Sequence, residues 1–310
     1  MSRDLATKRK FAGDAGATAA IDGIAAVARE FSLEATFPSR SEIDALRSAV
    51  PAGTHVYLSC PPNHDPESLV PVVAAVRAAG LEPVPHLTAR SYKDAAELEN
   101  VLSRLQREAA VTTALVIAGD RDVPAGNFDS ALSLIESDLL QQYGIREVGI
   151  SGYPDGHPKI DDSLLRRSLM QKLEAAAARN LSVHVTTQFC FDAQPVLAWL
   201  RWLRGEDVCV PVRVGVAGPT SMRALMKFAL RCGVRASLKG MLNPKAIQLL
   251  GEAAPDNIVR GLAEAEDRAN LDPVSIHYFS FGGILRTAEW ACAAAAGRVE
   301  PTAEGFRVIK

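Results

Sequence analysis

Residues 31–37 read FSLEATF, with Pro38 directly after. Phe31, Leu33, Ala35 and Phe37 fall on one face of an alternating run, which predicts a short half-buried strand bearing Glu34 on its other face. What a carboxylate does there depends on how many such strands follow and on what stands at their ends. Seven more segments have the same character: THVYLSC from 54, EPVPHLT from 82, TTALVIAGD from 112, EVGISGY from 147, VHVTTQF from 183, VPVRVGVAG from 210 and VSIHYFSF from 274.

Helical patterns lie between them, with apolar residues near spacings of three and four: DPESLVPVVAAVRAAG, SYKDAAELENVLSRLQRE, FDSALSLIESDLLQQYG, SLLRRSLMQKLEAAAARN, AQPVLAWLRWLRG and PTSMRALMKFALRCG. Gly80, Gly144, Asn180, Gly205 and Gly233 stand where left-handed caps are expected. Eight strands with helical crossovers in this length predict an α/β fold closed as a (β/α)8 TIM barrel. The alternative, an open doubly wound sheet, lacks a G-x-G-x-x-G fingerprint after the first strand. Between the seventh and eighth strands, NPKAIQLLG and PDNIVRGLAEAEDRAN can each add a helix. Residues 1–30 read as a loose start with one leading helix, and 31–310 as a single barrel domain.

The composition, 48% hydrophobic and 23% charged in 310 residues, is that of a globular chain with a large core. A formal charge of −2 and a pI near 6.3 argue against a nucleic-acid surface. No apolar run approaches the ~20 residues of a membrane span, and the start MSRDLATKRKF lacks a signal's apolar stretch, so a cytoplasmic protein is expected. The five cysteines, Cys60, Cys190, Cys209, Cys232 and Cys292, are scattered and read as reduced thiols.

A barrel builds its site at the C-terminal strand ends. The polar residues there are Glu34, Ser59, His86 with Thr88, Asp120 after Gly119, Tyr153, Gln188 and the glycine-rich GVAGPTS of 215–221. Glu34 and Asp120 would share one mouth, and such a pair can divide into a proton donor and a charged stabiliser. Glu34 between Leu33 and Ala35 suits a raised pKa, although a helix cap or an arginine partner would also place an acid there. His86 and His157 lack the companion ligands of a metal site, and no metal is expected. His184 and His277 sit inside strands, as hydrogen-bonded structural histidines do. Ser59 has no G-x-S-x-G elbow, which disfavours a serine hydrolase. GVAGPTS can be an anion cradle at a helix N-terminus or a tight turn capped by Thr220 or Ser221.

Four strings, PHLT at 85–88, AGD at 118–120, YPDGHP at 153–158 and TTQFCFD at 186–192, together resemble the methylenetetrahydrofolate reductase family, in its order and each at a strand end. The resemblance spans roughly residues 31–290. It implies a barrel carrying non-covalent FAD that passes a hydride to 5,10-methylenetetrahydrofolate, giving 5-methyltetrahydrofolate, or runs the reverse oxidation, in one-carbon and methionine metabolism. Under it, Glu34 supplies the proton that opens the methylene bridge, Asp120 tunes the flavin and holds the pterin, and Gln188 contacts folate. Ser59, His86, Ala118, Gly119, Asp120, Tyr153 and His157 fall among the flavin contacts, and Met222 stands where a substrate-stacking phenylalanine is expected.

The string IAGD carries Ala118 where the family has an arginine, so a weaker hold on FAD is expected. The family's acidic and lysine contacts after GHP have no obvious counterpart in KIDD. NADH, NADPH or another reductant would serve as electron donor, and a homo-oligomer is compatible with the resemblance. The alternative of another class is a folate-binding or non-redox C1-transfer barrel that has lost its flavin. An aldolase-like barrel would need a Schiff-base lysine, for which Lys239 is the candidate.

Overall fold

The computed structural model describes residues 16–61, 64–231, 252–303 and 305–309. A helix over residues 16–28, α1, leads into β1 (Ser32–Thr36). The chain then runs α2 (Arg40–Ala49), β2 (His55–Ser59), α3 (Val70–Ala78), β3 (Glu82–Thr88), α4 (Ala95–Ala109) and β4 (Thr113–Ile117). Two short helices, α5 (Ala131–Ile135) and α6 (Leu139–Gln142), precede β5 (Glu147–Gly152), α7 (Asp162–Ala177), β6 (Ser182–Thr187), α8 (Ala193–Gly205) and β7 (Val212–Ala217). Next come α9 (Met222–Arg231), α10 (Asp256–Ala263), α11 (Arg268–Leu271), β8 (Val274–Phe279) and α12 (Ile284–Ala295), and the chain closes on a hairpin of Val299–Pro301 with Phe306–Val308. The eight strands pair in parallel, each with its sequence neighbour, and β8 pairs with β1, closing the ring. The open-sheet alternative is thereby excluded.

Strand parity decides what faces inward. Leu33, Ala35, Val56, Leu58, Leu87, Val116, Val148, Ile150, Val185, Val214 and Ile276 join the main core with the helices outside the ring. The other parity points into the barrel, and there Tyr57, Val84 and Leu115 form a cluster of their own. Glu34 shares this inward parity, level with Tyr57 on one side and Phe279 on the other. Branched apolar side chains usually fill a barrel interior. Here Ser32, His86, His184, Thr186 and His277 are buried in it as well.

Local differences from the sequence expectations have local causes. Gly80, Gly144 and Asn180 do take positive φ, but Gly205 ends α8 inside the helix and Asp207, at φ 58°, is the left-handed residue instead. The segment FDSALSLIESDLLQQYG is not one helix, because Asp138 at φ 60° divides it and Arg179 binds both the Asp138 carboxylate and the Glu136 carbonyl. After β7, Gly218 donates its N–H to the Phe279 carbonyl and Thr220–Ser221 pairs with Glu252–Ala253, while Ser221 Oγ accepts from the Ala224 N–H. The Ser221 cap on Ala224 is the arrangement expected of a capped turn. The loose start falls on residues 1–15, and NPKAIQLLG, Gly233, Cys232 and Lys239 fall within 232–251, all outside the described residues. Among the described residues no helix is long and apolar enough to cross a membrane.

Candidate functional site

Glu34 is aimed into the barrel near its C-terminal end, and only 16% of its side chain is exposed. Its Oε2 lies 3.3 Å from His277 Nε2 and 3.5 Å from His86 Nε2, the second contact without hydrogen-bond geometry. His277 Nδ1 is bonded to Ser32 Oγ at 2.9 Å, and with the serine donating, the ring proton sits on Nε2 and faces the carboxyl group. Burial pushes the Glu34 pKa up, against a smaller opposing pull from His86. Burial also pushes His86 and His277 down, His277 well below the ordinary histidine value. Burial thus favours the uncharged form of all three groups, while the Coulombic coupling between Glu34 and His86 works against it on both partners.

The strand ends around this acid carry the other predicted residues. Ser59 Oγ and Thr36 Oγ1 are 2.8 Å apart at the ends of β2 and β1. Ala118 and Gly119 follow β4 half-buried. The Ala118 carbonyl accepts from the Arg90 N–H, and Gly119 holds φ +90°, where a Cβ would crowd Thr88 at 3.2 Å. The next residue, Asp120, is exposed. Tyr153 and His157, both half-buried, meet edge to face at 5.4 Å, and burial with the nearby Asp120 charge raises the phenol's pKa. Burial lowers the His157 pKa, helped by Lys159.

Gln188 is half-buried after β6, its Oε1 accepting from the Phe189 N–H. Met222 is 4% exposed and packs with Ala217 and Leu225 beside Phe191 and Phe281, so its side chain is part of the wall. The open aromatic surface beside it belongs to Phe281 and Phe228, stacked at 4.1 Å and 10°.

Three contributors escape a reading of the sequence. His277 has the setting of a structural histidine, inside a strand, yet it touches Glu34; its parity with Glu34 on neighbouring strands is the available signal. Tyr57 reads as an ordinary apolar strand residue, but its ring lies against His277 at 4.5 Å and His86 at 6.2 Å. Lys172, inside the α7 pattern, is buried, its amine 3.5 Å from the Ser151 carbonyl at the strand end that carries Tyr153. Burial pulls its pKa down to about 8. A cleft of about 50 Å³ opens nearby, lined by Ser151, Tyr153, Asp162, Arg166 and Trp199 among others.

Position 118 is alanine, and Arg90, whose N–H bonds the Ala118 carbonyl, has its guanidinium committed to the carbonyls of Asp129 and Arg121, which holds the β4 loop. Two features at the strand ends can meet a ligand, the buried Nε2 of His86, which has no hydrogen-bond partner, and the left-handed backbone at Gly119. A buried acceptor or donor and a close backbone approach suit a polar heterocycle, and the flavin of FAD has that chemistry.

Solved structures similar to this chain include dihydropteroate synthase (FolP) from Thermus thermophilus, 17% identical with 83% of this chain and 90% of that chain covered, at a TM-score of 0.43. A second, dihydropteroate synthase from the same organism in complex with 6HMPPP, is 15% identical over 86% and 92% of the two chains, at 0.46. The model of the family "Methylenetetrahydrofolate reductase" matches residues 41–244, more than half of the chain, with Glu34 and β8 lying outside the matched stretch. Taken with the barrel and the strand-end strings, this match means that the chain belongs to the methylenetetrahydrofolate reductase family.

Proposed function

We propose that the protein reduces 5,10-methylenetetrahydrofolate to 5-methyltetrahydrofolate using bound FAD. The observation that carries this reading is Glu34, a carboxyl group aimed into the barrel mouth between His277 and His86, its pKa pushed up by burial. A neutral acid can give its proton to the bridge nitrogen of the substrate, opening the methylene bridge to an electrophilic iminium. FAD, when bound, supplies the hydride that completes the reduction.

The remaining work falls to the chain's own groups. His86, Gly119, Tyr153 and Lys172 would hold the cofactor, with Ser59, Ala118 and His157 at its edges. Asp120, exposed on its loop, offers a negative charge to a cationic folate intermediate. Gln188 has an amide group left to bind the pterin, since its oxygen is engaged with Phe189. The apolar wall of Phe279, Phe281 and Met222 excludes water from the reacting carbon.

One observation favours the second reading, a folate-binding barrel without flavin: position 118 is alanine and Arg90 is not free to replace the missing cation. Titration of the purified protein with FAD, followed by anaerobic mixing of the chemically reduced protein with 5,10-methylenetetrahydrofolate, separates the two. Saturable flavin binding and reoxidation of the flavin by the folate are expected. A protein that takes up no FAD, or whose reduced flavin ignores the folate, overturns the proposal.

A further inference from the structure

Below Glu34, toward the N-terminal end of the barrel, three polar side chains from three strands form a chain of short hydrogen bonds. Glu147 of β5 accepts from His184 Nδ1 at 2.6 Å, and Tyr57 of β2 bonds His184 Nε2 at 2.6 Å from across the interior. Because Nδ1 donates to the carboxylate, Nε2 of the neutral ring is an acceptor and the phenol must be the donor. Tyr57 and His184 are almost fully buried, whereas the Glu147 side chain is 35% exposed at the N-terminal mouth. Room for the imidazole comes from Gly149, where a Cβ would lie 2.6 Å from His184 Nε2.

We propose that Tyr57, His184 and Glu147 are positioning residues for Glu34, a carboxylate–imidazole–phenol chain that fixes the two imidazoles in contact with the acid. The proposal rests on the reading of Glu34 as proton donor. The phenol's bond to His184 locks the Tyr57 ring, and that ring is the floor on which His277 and His86 stand, edge to face at 4.5 and 6.2 Å. Simple packing does not account for the chain. Leucine or valine would fill the same layer without the cost of burying a phenol and an imidazole, which only full hydrogen bonding offsets.

The charges around the chain point the same way. Glu34 faces Tyr57 from β2, His86 from β3 and His277 from β8, while β4 presents the apolar Leu115. Lower down, β7 brings Arg213, whose guanidinium lies 5.9 Å from the centre of the Tyr57 ring, and β2 brings His55. The Arg213 charge disfavours a second cation and helps depress His55, His184 and His277. Glu147, its own pKa lowered chiefly by the bond to His184, is the negative charge at the exposed end of the bonded chain. With Glu147 removed, His184 Nδ1 loses its acceptor and the imidazole no longer holds the Tyr57 phenol in one orientation, so the floor under His277 and His86 loosens and water reaches Glu34, favouring its anion.

The test follows the infrared carbonyl band of protonated Glu34 against pH in the full-length protein, assigned by its disappearance in Glu34→Gln. In Glu147→Gln the band should vanish at a pH lower by about half a unit or more. In Tyr57→Phe it should also move down, as the unpinned ring lets His277 shift and water reach the acid. Glu147→Gln is isosteric and partly exposed, so it gives a result even if Tyr57→Phe does not fold. Bands that titrate at the wild-type pH in folded variants overturn the proposal. Because this reading needs no turnover, it is separate from the role of Glu34 itself: a Glu34→Gln protein that still reduces folate would sink that role and leave the measured midpoints standing.

Discussion

His277 Nε2 and Glu34 Oε2, 243 residues apart in the chain, lie 3.3 Å from each other inside the barrel. The contact joins the first strand to the last at the closure of the ring. Burial lowers the pKa of this imidazole and raises that of the acid, and the following expectations start from that pairing.

Glu34→Gln should slow the folate half-reaction by about 10²-fold or more while leaving chemical or enzymatic reduction of the flavin unaffected. Glutamine keeps the shape and loses the proton. Stopped-flow absorbance of the two half-reactions measures both; equal slowing of both would mean that the side chain supports the fold or the cofactor instead.

Lys172→Met should trade cofactor affinity for stability. The buried amine has a pKa held down to about 8 by desolvation and, among the described residues, one polar contact, the Ser151 carbonyl at 3.5 Å. Replacing it should stabilise the flavin-free protein by ~1–3 kcal/mol and weaken FAD binding about tenfold. Urea titration and flavin fluorescence test the two arms.

Acid should unfold the protein earlier than its carboxylates alone would require. Burial lowers the pKa of His55, to about 4, and also those of His86, His184 and His277. The unfolded chain therefore binds more protons than the folded one below about pH 6.5, and stability is lost as the pH falls from there toward 4. His55 alone accounts for ~3 kcal/mol of that loss. Glu34, raised, acts in the other direction: its contribution is present below 4.5 and lost as the pH rises through its folded value. Melting temperatures between pH 7.5 and 4.5 should drop steadily on the acid side, and a flat profile would contradict the burial of these imidazoles in neutral form.

Gly149→Ala should cost about 1–3 kcal/mol or more, because the new methyl would stand 2.6 Å from His184 Nε2 and 2.9 Å from a Leu115 methyl. The imidazole cannot swing aside without breaking its bonds to Tyr57 and Glu147. Chemical denaturation of the variant measures the loss, and an unchanged midpoint would show that the interior relaxes there.

Much of the architecture was legible because it rests on local rules. Short runs rich in apolar or β-branched residues mark all eight strands, and helical spacing between them leaves few topologies other than a closed parallel barrel. Parity within FSLEATF also put Glu34 on the face opposite Leu33 and Ala35, which is the inward face. The left-handed turn at Asp207 escaped because Gly205 offered a better cap by residue type, and Asp138 because the apolar pattern runs through it unbroken.

What stands beside Glu34 could be decided only by the tertiary structure. His277, His86 and Tyr57 lie on three different strands, and their meeting depends on the register of β8 on β1 and of β2 on β1, which pairs Ser32 with His277 and Glu34 with Tyr57. The strand sequences specify inward or outward but not height along the barrel axis, and height determines which side chains touch. The same holds for the proton. Leu33 and Ala35 beside Glu34 suggested a raised pKa, but what raises it is burial inside the closed ring, with His86 of another strand pulling the other way.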